Sequence, residues 1–346
     1  MTSHDQQPAT PPEDTPPLRV GVIGCGPVGA MHAEAVWRRT DARLVGLCAP
    51  SPANREPLAR RFATPGYESV ERLLEATKPD VVCVASPDPL HVEQAIQCLR
   101  AGAHVFCEKP LGSSLAEAAA VARAADEHRR FCGVNYNRRY AFGYRRAFQL
   151  LRSGAIGELR QVWLQVTDAT PPANVATRRD VVYWTLLGHH FDLIRQAGGS
   201  VRSVSAMEAS SRPDSLVTDL NAQFFFASGA LGSLSVAYRD GQTRTTERCE
   251  LVGTTGGIVV DDVTRSVSHF TDDPDRLTVE RPNQFLYGDA FYRSLDDHVR
   301  DFFDRLAKRE APSVGPIDAV ESTRLAEAAI RSSEAGGPVT IERADA

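Results

Sequence analysis

Residues 20–29 read Val-Gly-Val-Ile-Gly-Cys-Gly-Pro-Val-Gly, which places a GxGxxG spacing between an apolar run and a helical stretch. In this setting the first glycine allows a tight turn, the second lets the backbone approach a pyrophosphate, and the third lets helix and strand pack closely. Free N–H groups at the start of the helix then hold the anion, and proline suits the first helical turn. The stretch predicts a dinucleotide site formed by Gly24, Gly26, Pro27, Val28 and Gly29.

The glycine stretch opens a region in which short apolar runs alternate with helical stretches. The apolar runs are Leu18–Ile23, Leu44–Cys48, Val81–Ala85, His104–Cys107 and Phe131–Val134. Residues 81–85 are apolar throughout, as expected of a strand that is covered on both faces of a parallel sheet. A repeated β-α-β order implies right-handed crossovers. Residues 18–140 are therefore predicted to form an α/β domain with a doubly wound parallel sheet of the Rossmann type.

Near residue 140 the pattern changes to longer strand-like stretches separated by turn signals. They are Leu159–Thr167, Val201–Met207, Val217–Phe226, Ala230–Tyr238, Cys249–Val252 and Gly257–Val260. Ser228-Gly229 predicts a tight hairpin between two of them, and helices are expected at 185–196, 294–308 and 317–333. Residues 141–346 are predicted to form an α+β domain with an open, mainly antiparallel sheet, which we expect to bind the substrate.

Composition excludes several classes of protein. The chain has 346 residues, 42% of them hydrophobic, and a net charge of −5. This charge excludes a strongly basic nucleic-acid footprint and gives no reason for attraction to an anionic membrane. No apolar run reaches the ~18 residues that a transmembrane helix needs. Residues 1–17 are polar and proline-rich, so we expect a disordered tail rather than a secretory signal.

The seven cysteines show no CxxC spacing and lie mostly in apolar runs. Free thiols of this kind fit a reducing cytoplasm. No cluster of histidine and cysteine has the spacing of a zinc site, so no metal is expected.

The end of the second predicted strand bears on which dinucleotide is bound. Folds that prefer NAD usually place an acidic residue there to bond the ribose hydroxyls, but this chain has Ala49. Ala49 does not repel a 2′-phosphate, and Ser51 and Arg55 lie just beyond it. The sequence slightly favours NADP over NAD, although a helix cap at Ser51 and a solvated Arg55 explain these two residues equally simply.

Four further segments complete a pattern that extends over nearly the whole chain from residue 18. They are Ala85–His91, Cys107–Leu111 with Glu-Lys-Pro at its centre, Gly133–Tyr140, and His189–Asp192. With the glycine loop, they resemble the glucose–fructose oxidoreductase and inositol dehydrogenase family (Gfo/Idh/MocA). The resemblance implies an NAD(P)-dependent oxidoreductase of sugars, cyclitols or their derivatives, with the active site between the two domains. It also implies cofactor contacts from Ser86, Pro87, His91, Glu108 and Lys109.

Two residues have the chemistry that hydride transfer requires. Lys109 follows a strand's carboxyl end, where ligands of open parallel sheets gather, and its ammonium can stabilise an alkoxide. It is one of three lysines among 39 basic residues. His189 matches the family's catalytic histidine, and imidazole suits proton transfer near neutral pH. We expect both to act on the substrate, while Glu108 orients the lysine or bonds a ribose.

One position departs from the family pattern. Many members have an aspartate four residues before the histidine, but this chain has Thr185, which cannot act as a carboxylate base. Tyr183 and Trp184 are expected to line the substrate pocket beside it. Asp192 shares a helix face with His189 at i and i+3, so we expect it to orient His189 or to contact substrate or cofactor.

Two functions remain open from the sequence. The first is an enzyme that moves hydride between nicotinamide and a carbohydrate-like alcohol or ketone. The second is a dinucleotide-gated binding or regulatory protein on the same scaffold, because fold alone does not decide function. By analogy with the family, the sheet of the second domain is expected to join copies into a homo-oligomer.

Overall fold

The structure is a computed structural model, which describes residues 16–169, 183, 188–210, 217–239, 245–273, 275–282 and 290–341. Two predicted pocket residues, Trp184 and Thr185, lie outside these ranges, as does most of the predicted tail. In the described residues, no helix is long and apolar enough to cross a membrane.

The first sheet confirms the predicted parallel α/β architecture. Its six strands lie in the order β3-β2-β1-β4-β5-β6, and every pairing is parallel. The strands are β1 (Leu18–Ile23), β2 (Ala42–Cys48), β3 (Gly66–Tyr67), β4 (Val81–Val84), β5 (His104–Cys107) and β6 (Cys132–Val134). The strand order reverses between β1 and β4, and that reversal opens a crevice at the carboxyl ends of the strands.

Five helices connect these strands. They are α1 (Pro27–Trp37), α2 (Pro52–Arg61), α3 (Val70–Thr77), α4 (His91–Arg100) and α5 (Leu115–Glu127). Helix α2 begins at Pro52, directly after Ser51. Proline fits the first turn of a helix because its missing N–H has no partner there, and this signal identifies the true start.

The second sheet confirms the open, mainly antiparallel architecture. In the described residues it has nine strands in the order β14-β13-β12-β11-β7-β10-β9-β8-β15, and of their pairings only that of β7 with β10 is parallel. The strands are β7 (Leu159–Ala169), β8 (Val201–Ala209), β9 (Asp219–Phe226), β10 (Leu231–Arg239), β11 (Thr246–Gly253), β12 (Gly256–Asp261), β13 (Ser266–Thr271), β14 (Leu277–Glu280) and β15 (Val339–Thr340). The predicted hairpin at Ser228-Gly229 joins β9 to β10, with Gly229 in the left-handed region at φ 91°.

Strand β9 shows why this sheet has one covered and one open face. Leu220, Ala222, Phe224 and Phe226 are buried, while the residues between them are exposed. Side chains alternate across a strand, so the first set packs in the core and the second faces outward. Four further helices are described in this half of the chain: α6 (Phe142–Arg152), α7 (Gly188–Gly198), α8 (Ala290–Ala307) and α9 (Pro316–Ala335).

Helix α8 belongs to the core of the first sheet despite its position late in the chain. Its apolar residues Leu295, Val299, Phe302 and Phe303 are buried in one cluster with the strand residues of β1. A Cβ on Gly133 would lie 2.8 Å from the Phe302 ring, so glycine lets this helix approach β6. The nucleotide-binding core therefore includes residues far outside 18–140.

Candidate active site

The glycine loop has the shape of a phosphate cradle. Gly24 adopts φ 99°, and a Cβ there would lie 2.2 Å from the carbonyl oxygen of Ala85. A Cβ on Gly29 would lie 1.9 Å from the carbonyl oxygen of Gly24. By contrast, a Cβ on Gly26 meets nothing within 4 Å. Gly24 and Gly29 are thus required by the protein's own packing, whereas Gly26 leaves open space at the start of α1 where a pyrophosphate fits.

A cleft of about 660 Å³ begins at this loop and extends over the carboxyl ends of β1, β2 and β4. Seven of the predicted cofactor residues line it: Gly24, Gly26, Pro27, Val28, Ser51, and Ser86 and Pro87 from the loop after β4. The other five, Gly29, Arg55, His91, Glu108 and Lys109, are not among its lining residues. The cleft has the size of a small-molecule site.

Arg55 lies at the edge of this cleft and is bound to the backbone. Its Nη1 donates to the carbonyl oxygens of Ala49 at 2.5 Å and Pro50 at 3.2 Å. Ser51 caps α2 by position, without a side-chain hydrogen bond to the helix. The guanidinium is therefore held beside the end of β2, where the residues that follow the strand, Ala49-Pro50-Ser51, include no acid.

His91 links two loops and does not line the cleft. It is buried, and its ring nitrogens lie 2.8 Å from the carbonyl oxygens of Ser86 and Pro110. These oxygens belong to the loops that follow β4 and β5. The geometry gives His91 a positioning role in place of the expected direct contact with cofactor.

Lys109 and Glu108 follow β5 at the same edge of the sheet. Burial lowers the pKa of the Lys109 ammonium, the nearby carboxylates of Glu108 and Asp88 oppose that change, and Arg138 adds to it. Burial raises the pKa of Glu108, but His32, Asn135 and Lys109 lower it by more, so the pKa lies below its ordinary value. Glu108 is thus a carboxylate beside the Lys109 cation, at the position expected for ligands of this fold.

His189 enters the same region from α7 in the second domain. It is 9% exposed, and its Nδ1 has no hydrogen-bond partner among the described residues. The Tyr136 ring lies edge-on at 5.9 Å between centroids. Burial, followed by the charges of Lys109 and Arg138, lowers the pKa of His189 well below its ordinary value. The tertiary structure therefore brings a neutral imidazole and the Lys109 ammonium into one electrostatic environment.

Arg138 is a functional candidate to which the sequence analysis assigned no role. Its Nη1 lies 3.0 Å from Glu247 Oε2, and the buried Glu247 also bonds His190 Nε2 at 3.1 Å and the Tyr144 hydroxyl. Burial raises the pKa of Glu247, but Arg138 and His190 lower it to about 2. Glu247 thus anchors a guanidinium that acts on both Lys109 and His189. The signal was present in the quoted Gly133–Tyr140 segment, which places Arg138 four residues after the end of β6.

Asp192 has partners other than those expected from its helix position. It is 1% exposed, and Arg139 Nε donates to its Oδ2 at 2.7 Å while Arg139 Nη2 bonds its Oδ1. A buried carboxylate requires such a counter-charge. The geometry therefore makes Asp192 the anchor of the segment that joins the two sheets, with no bond to His189.

Tyr183 is also buried away from solvent. It is 0% exposed, its hydroxyl donates to Glu208 Oε2 at 2.7 Å, and its ring stacks on Phe191 with centroids 6.1 Å apart. These contacts place it in the core beneath the pocket, where it supports α7.

No group of three or more His, Cys, Asp or Glu side chains in the described ranges could hold a metal ion.

A glycine cradle and a cleft at the strand-order reversal are together typical of a dinucleotide-dependent oxidoreductase. The family described as "Oxidoreductase family, NAD-binding Rossmann fold" matches residues 18–136, and the Gfo/Idh/MocA carboxyl-terminal domain matches residues 144–259. The chain belongs to this Gfo/Idh/MocA family. It is an NAD(P)-dependent oxidoreductase that acts on CH–OH groups.

Curated relatives and solved structures agree with this assignment. The chain is 27% identical over 342 residues to myo-inositol 2-dehydrogenase from Thermotoga maritima, covering 94% of this chain and 99% of that protein. It is 31% identical over 145 residues to D-glucoside 3-dehydrogenase from Escherichia coli, covering 41% of each. An Agrobacterium radiobacter oxidoreductase solved with NAD⁺, L-tartaric acid and magnesium shares the fold, with a TM-score of 0.85 and 20% identity, covering 94% of this chain and 98% of that chain.

Proposed function

We propose that this oxidoreductase moves hydride between nicotinamide and a carbohydrate-like alcohol or ketone, with Lys109 and His189 acting on the same substrate oxygen. The observation that carries the proposal is the placement of Lys109, which follows β5, near enough to the buried His189 on α7 for its charge to lower the pKa of His189. When bound, the nicotinamide accepts or supplies the hydride. The names of the relatives, a myo-inositol and a D-glucoside dehydrogenase, support a polyhydroxylated ring as substrate.

Lys109 holds the substrate oxygen in this proposal. During oxidation, negative charge develops on the substrate oxygen. This charge must be stabilised until the carbon has lost its hydride and the carbonyl has formed. An ammonium fixed in a site of low polarity does this without reorganising solvent. Burial of Lys109 therefore increases the benefit of its charge where the oxygen is most negative.

His189 transfers the proton of the same oxygen. Because its pKa is lowered, the imidazole is neutral at physiological pH and is ready to accept the hydroxyl proton during oxidation. In the reverse reaction the protonated ring returns that proton to the alkoxide. The positive charges of Lys109 and Arg138 disfavour the imidazolium form of His189, so the ring releases the proton readily afterwards.

A substrate panel tests the proposed function. Purified protein is incubated with NAD⁺ or NADP⁺ and with sugars, cyclitols, sugar acids and nucleotide sugars, and the nicotinamide absorbance is followed. We expect a polyhydroxylated ring to reduce the cofactor at a rate that Lys109→Met lowers by about 10²–10³-fold. Reduction at the wild-type rate in that variant would contradict the assignment of the site.

We further propose that the cleft has a modest preference for NADP. No carboxylate follows β2, and the Arg55 guanidinium is held by the carbonyl oxygens of Ala49 and Pro50 at the place where a 2′-phosphate would lie. Glu68 and Glu71 also line the cleft and limit the size of this preference.

Ala49→Asp should shift the ratio of kcat/KM for the two cofactors toward NAD by about ten-fold or more. Two unit charges about 4 Å apart interact by roughly 1–4 kcal/mol between bulk water and a protein surface, and the new carboxylate can also bond the ribose hydroxyls. Ala49→Asn is the matched control, because it adds the same volume without charge. A ratio that moves equally in both variants would show that size and not charge selects the cofactor.

The open face of the nine-stranded sheet is proposed as the surface of a homo-oligomer. Trp163, Met207, Phe225 and Leu231 are between 41% and 73% exposed there, and exposed apolar patches of this kind mark interaction sites. Light scattering should give a mass above that of one chain, and Trp163→Asp should lower it.

The seven unpaired cysteines support the cytoplasmic location proposed from composition.

A further inference from the structure

A buried ion pair lies directly behind the lysine of the active site. His32 on α1 is 0% exposed, and its Nε2 lies 2.7 Å from Glu108 Oε1. The imidazole also lies edge-on to the Phe106 ring, with centroids 5.6 Å apart. The pair thus connects the helix that begins at the glycine loop with the residue that precedes Lys109.

The carboxylate of Glu108 is held in one orientation. Its Oε1 also accepts a hydrogen bond from Asn135 Nδ2 at 2.6 Å, and its backbone N–H donates to the carbonyl oxygen of Val84 at 2.8 Å. Asn135 is itself held, since its Oδ1 lies 3.0 Å from His298 Nδ1. In the described residues no hydrogen bond to Glu108 Oε2 is found, so this oxygen remains for the site in which Lys109 lies.

The ion pair with Glu108 favours a cationic His32. A carboxylate that is largely removed from water is disfavoured unless a positive group is paired with it. The contact places an N–H on His32 Nε2, while Nδ1 is buried with no hydrogen-bond partner in the described residues. Burial lowers the pKa of His32, but Cys83 and Glu108 raise it to about 10. Other titratable or charged groups act on the His32–Glu108 pair, on Lys109 or on His298. They are Cys83, Asp88, Arg138 and Arg139.

We propose that His32 is a positioning residue for the oxidoreductase reaction: as a buried imidazolium it fixes Glu108 as an oriented carboxylate, and through Glu108 it sets the charge and position of the Lys109 ammonium. The inference rests on the proposed role of Lys109. It follows that the helix that binds the pyrophosphate and the group that stabilises the substrate oxygen form one rigid unit.

The charge of His32 is tested first, without any substrate. Protein labelled with ¹⁵N-histidine is titrated by NMR, and the His32 signals are assigned by their loss in His32→Gln. Both ring nitrogens of His32 should remain protonated at pH 8, where an ordinary histidine is neutral. A neutral His32 ring at pH 7 would overturn the proposal whether or not a substrate has been found.

The effect on the site is tested by the pH dependence of kcat/KM. Glutamine keeps an N–H donor near the position of Nε2 but removes the charge, so the pKa of the buried Glu108 should rise. The acid limb of the profile should then move to higher pH by about one unit or more, a ten-fold change in proton affinity. A merely structural role for His32 would lower the rate or the stability without moving this limb.

A double-variant cycle separates the action of His32 through Glu108 from other effects. In a Glu108→Gln background, His32→Gln should cause no further shift of the acid limb, because the carboxylate on which His32 acts is absent. Superimposable profiles of wild type and His32→Gln would overturn the proposal, as would a shift that persists in the Glu108→Gln background.

Discussion

Lys109→Met is expected to lower kcat by about 10²–10³-fold, the loss typical when one charge-stabilising group is removed from a transition state. Methionine has a similar length and fills the buried space with an apolar side chain, so the fold should be preserved. The affinity for NAD(P)H should change little, because the ammonium matters most where negative charge develops on the substrate oxygen.

The chain supplies a matched control for this variant. Lys308 is exposed just beyond the end of α8, far from the strand ends that form the site, so Lys308→Met should leave kcat unchanged. Turnover at the wild-type rate in Lys109→Met would remove the lysine from the mechanism. A wide panel that gives ligand binding without any change in cofactor redox state would favour the binding-protein function.

The pH dependence of oxidation follows from the directions of two pKa shifts. His189 must be neutral to accept a proton, so kcat/KM falls as pH falls through its lowered pKa, and this acid limb lies well below pH 6.5. Lys109 must be protonated, so kcat/KM falls as pH rises through its pKa, and the alkaline limb lies below pH 10.5. His189→Ala should remove the part of the acid limb that His189 sets, leave the part set by protonation of Glu108, and cost about 10²–10⁴-fold in rate.

Combining His189→Ala with Lys109→Met gives a further check on their joint action. Because both groups act on one oxygen, the combined loss should be smaller than the product of the single losses. Independent, multiplicative losses would show that the two residues act at different steps.

Gly26→Val should weaken NAD(P)H binding by at least about 100-fold, or roughly 2.7 kcal/mol, with no loss of stability. A Cβ at this position meets nothing within 4 Å in the protein. The added side chain therefore occupies only the space that the pyrophosphate needs. Calorimetric titration measures the affinity, and urea denaturation measures the free energy of unfolding.

Gly29→Ala is the contrasting variant. Its Cβ would lie 1.9 Å from the carbonyl oxygen of Gly24, so the loop or the helix must move at a cost of about 1–3 kcal/mol in stability. Equal NAD(P)H binding by wild type and a folded Gly26→Val protein would show that the dinucleotide does not lie on this loop.

Local sequence patterns were sufficient to predict both sheets. The glycine spacing after an apolar run predicted the first β-α unit, and the strand-like stretches Val217–Phe226 and Ala230–Tyr238 around Ser228-Gly229 predicted a hairpin of the second sheet. Both signals depend on neighbouring residues alone. The short outer strands β13 and β14 were not predicted, because β14 is mostly exposed and carries no pattern of burial.

The sequence alone predicted a dinucleotide site, and a lysine and a histidine as the candidates for the chemistry. Only the tertiary structure decided how those groups are charged and held. Asp192 shares a helix face with His189, yet its carboxylate is paired with Arg139 from the linking segment. Likewise, Glu108 is paired with His32 from α1. Buried charges must be neutralised by whichever opposite charge the fold brings within a few ångströms, and a partner distant in sequence leaves no local pattern from which to predict it.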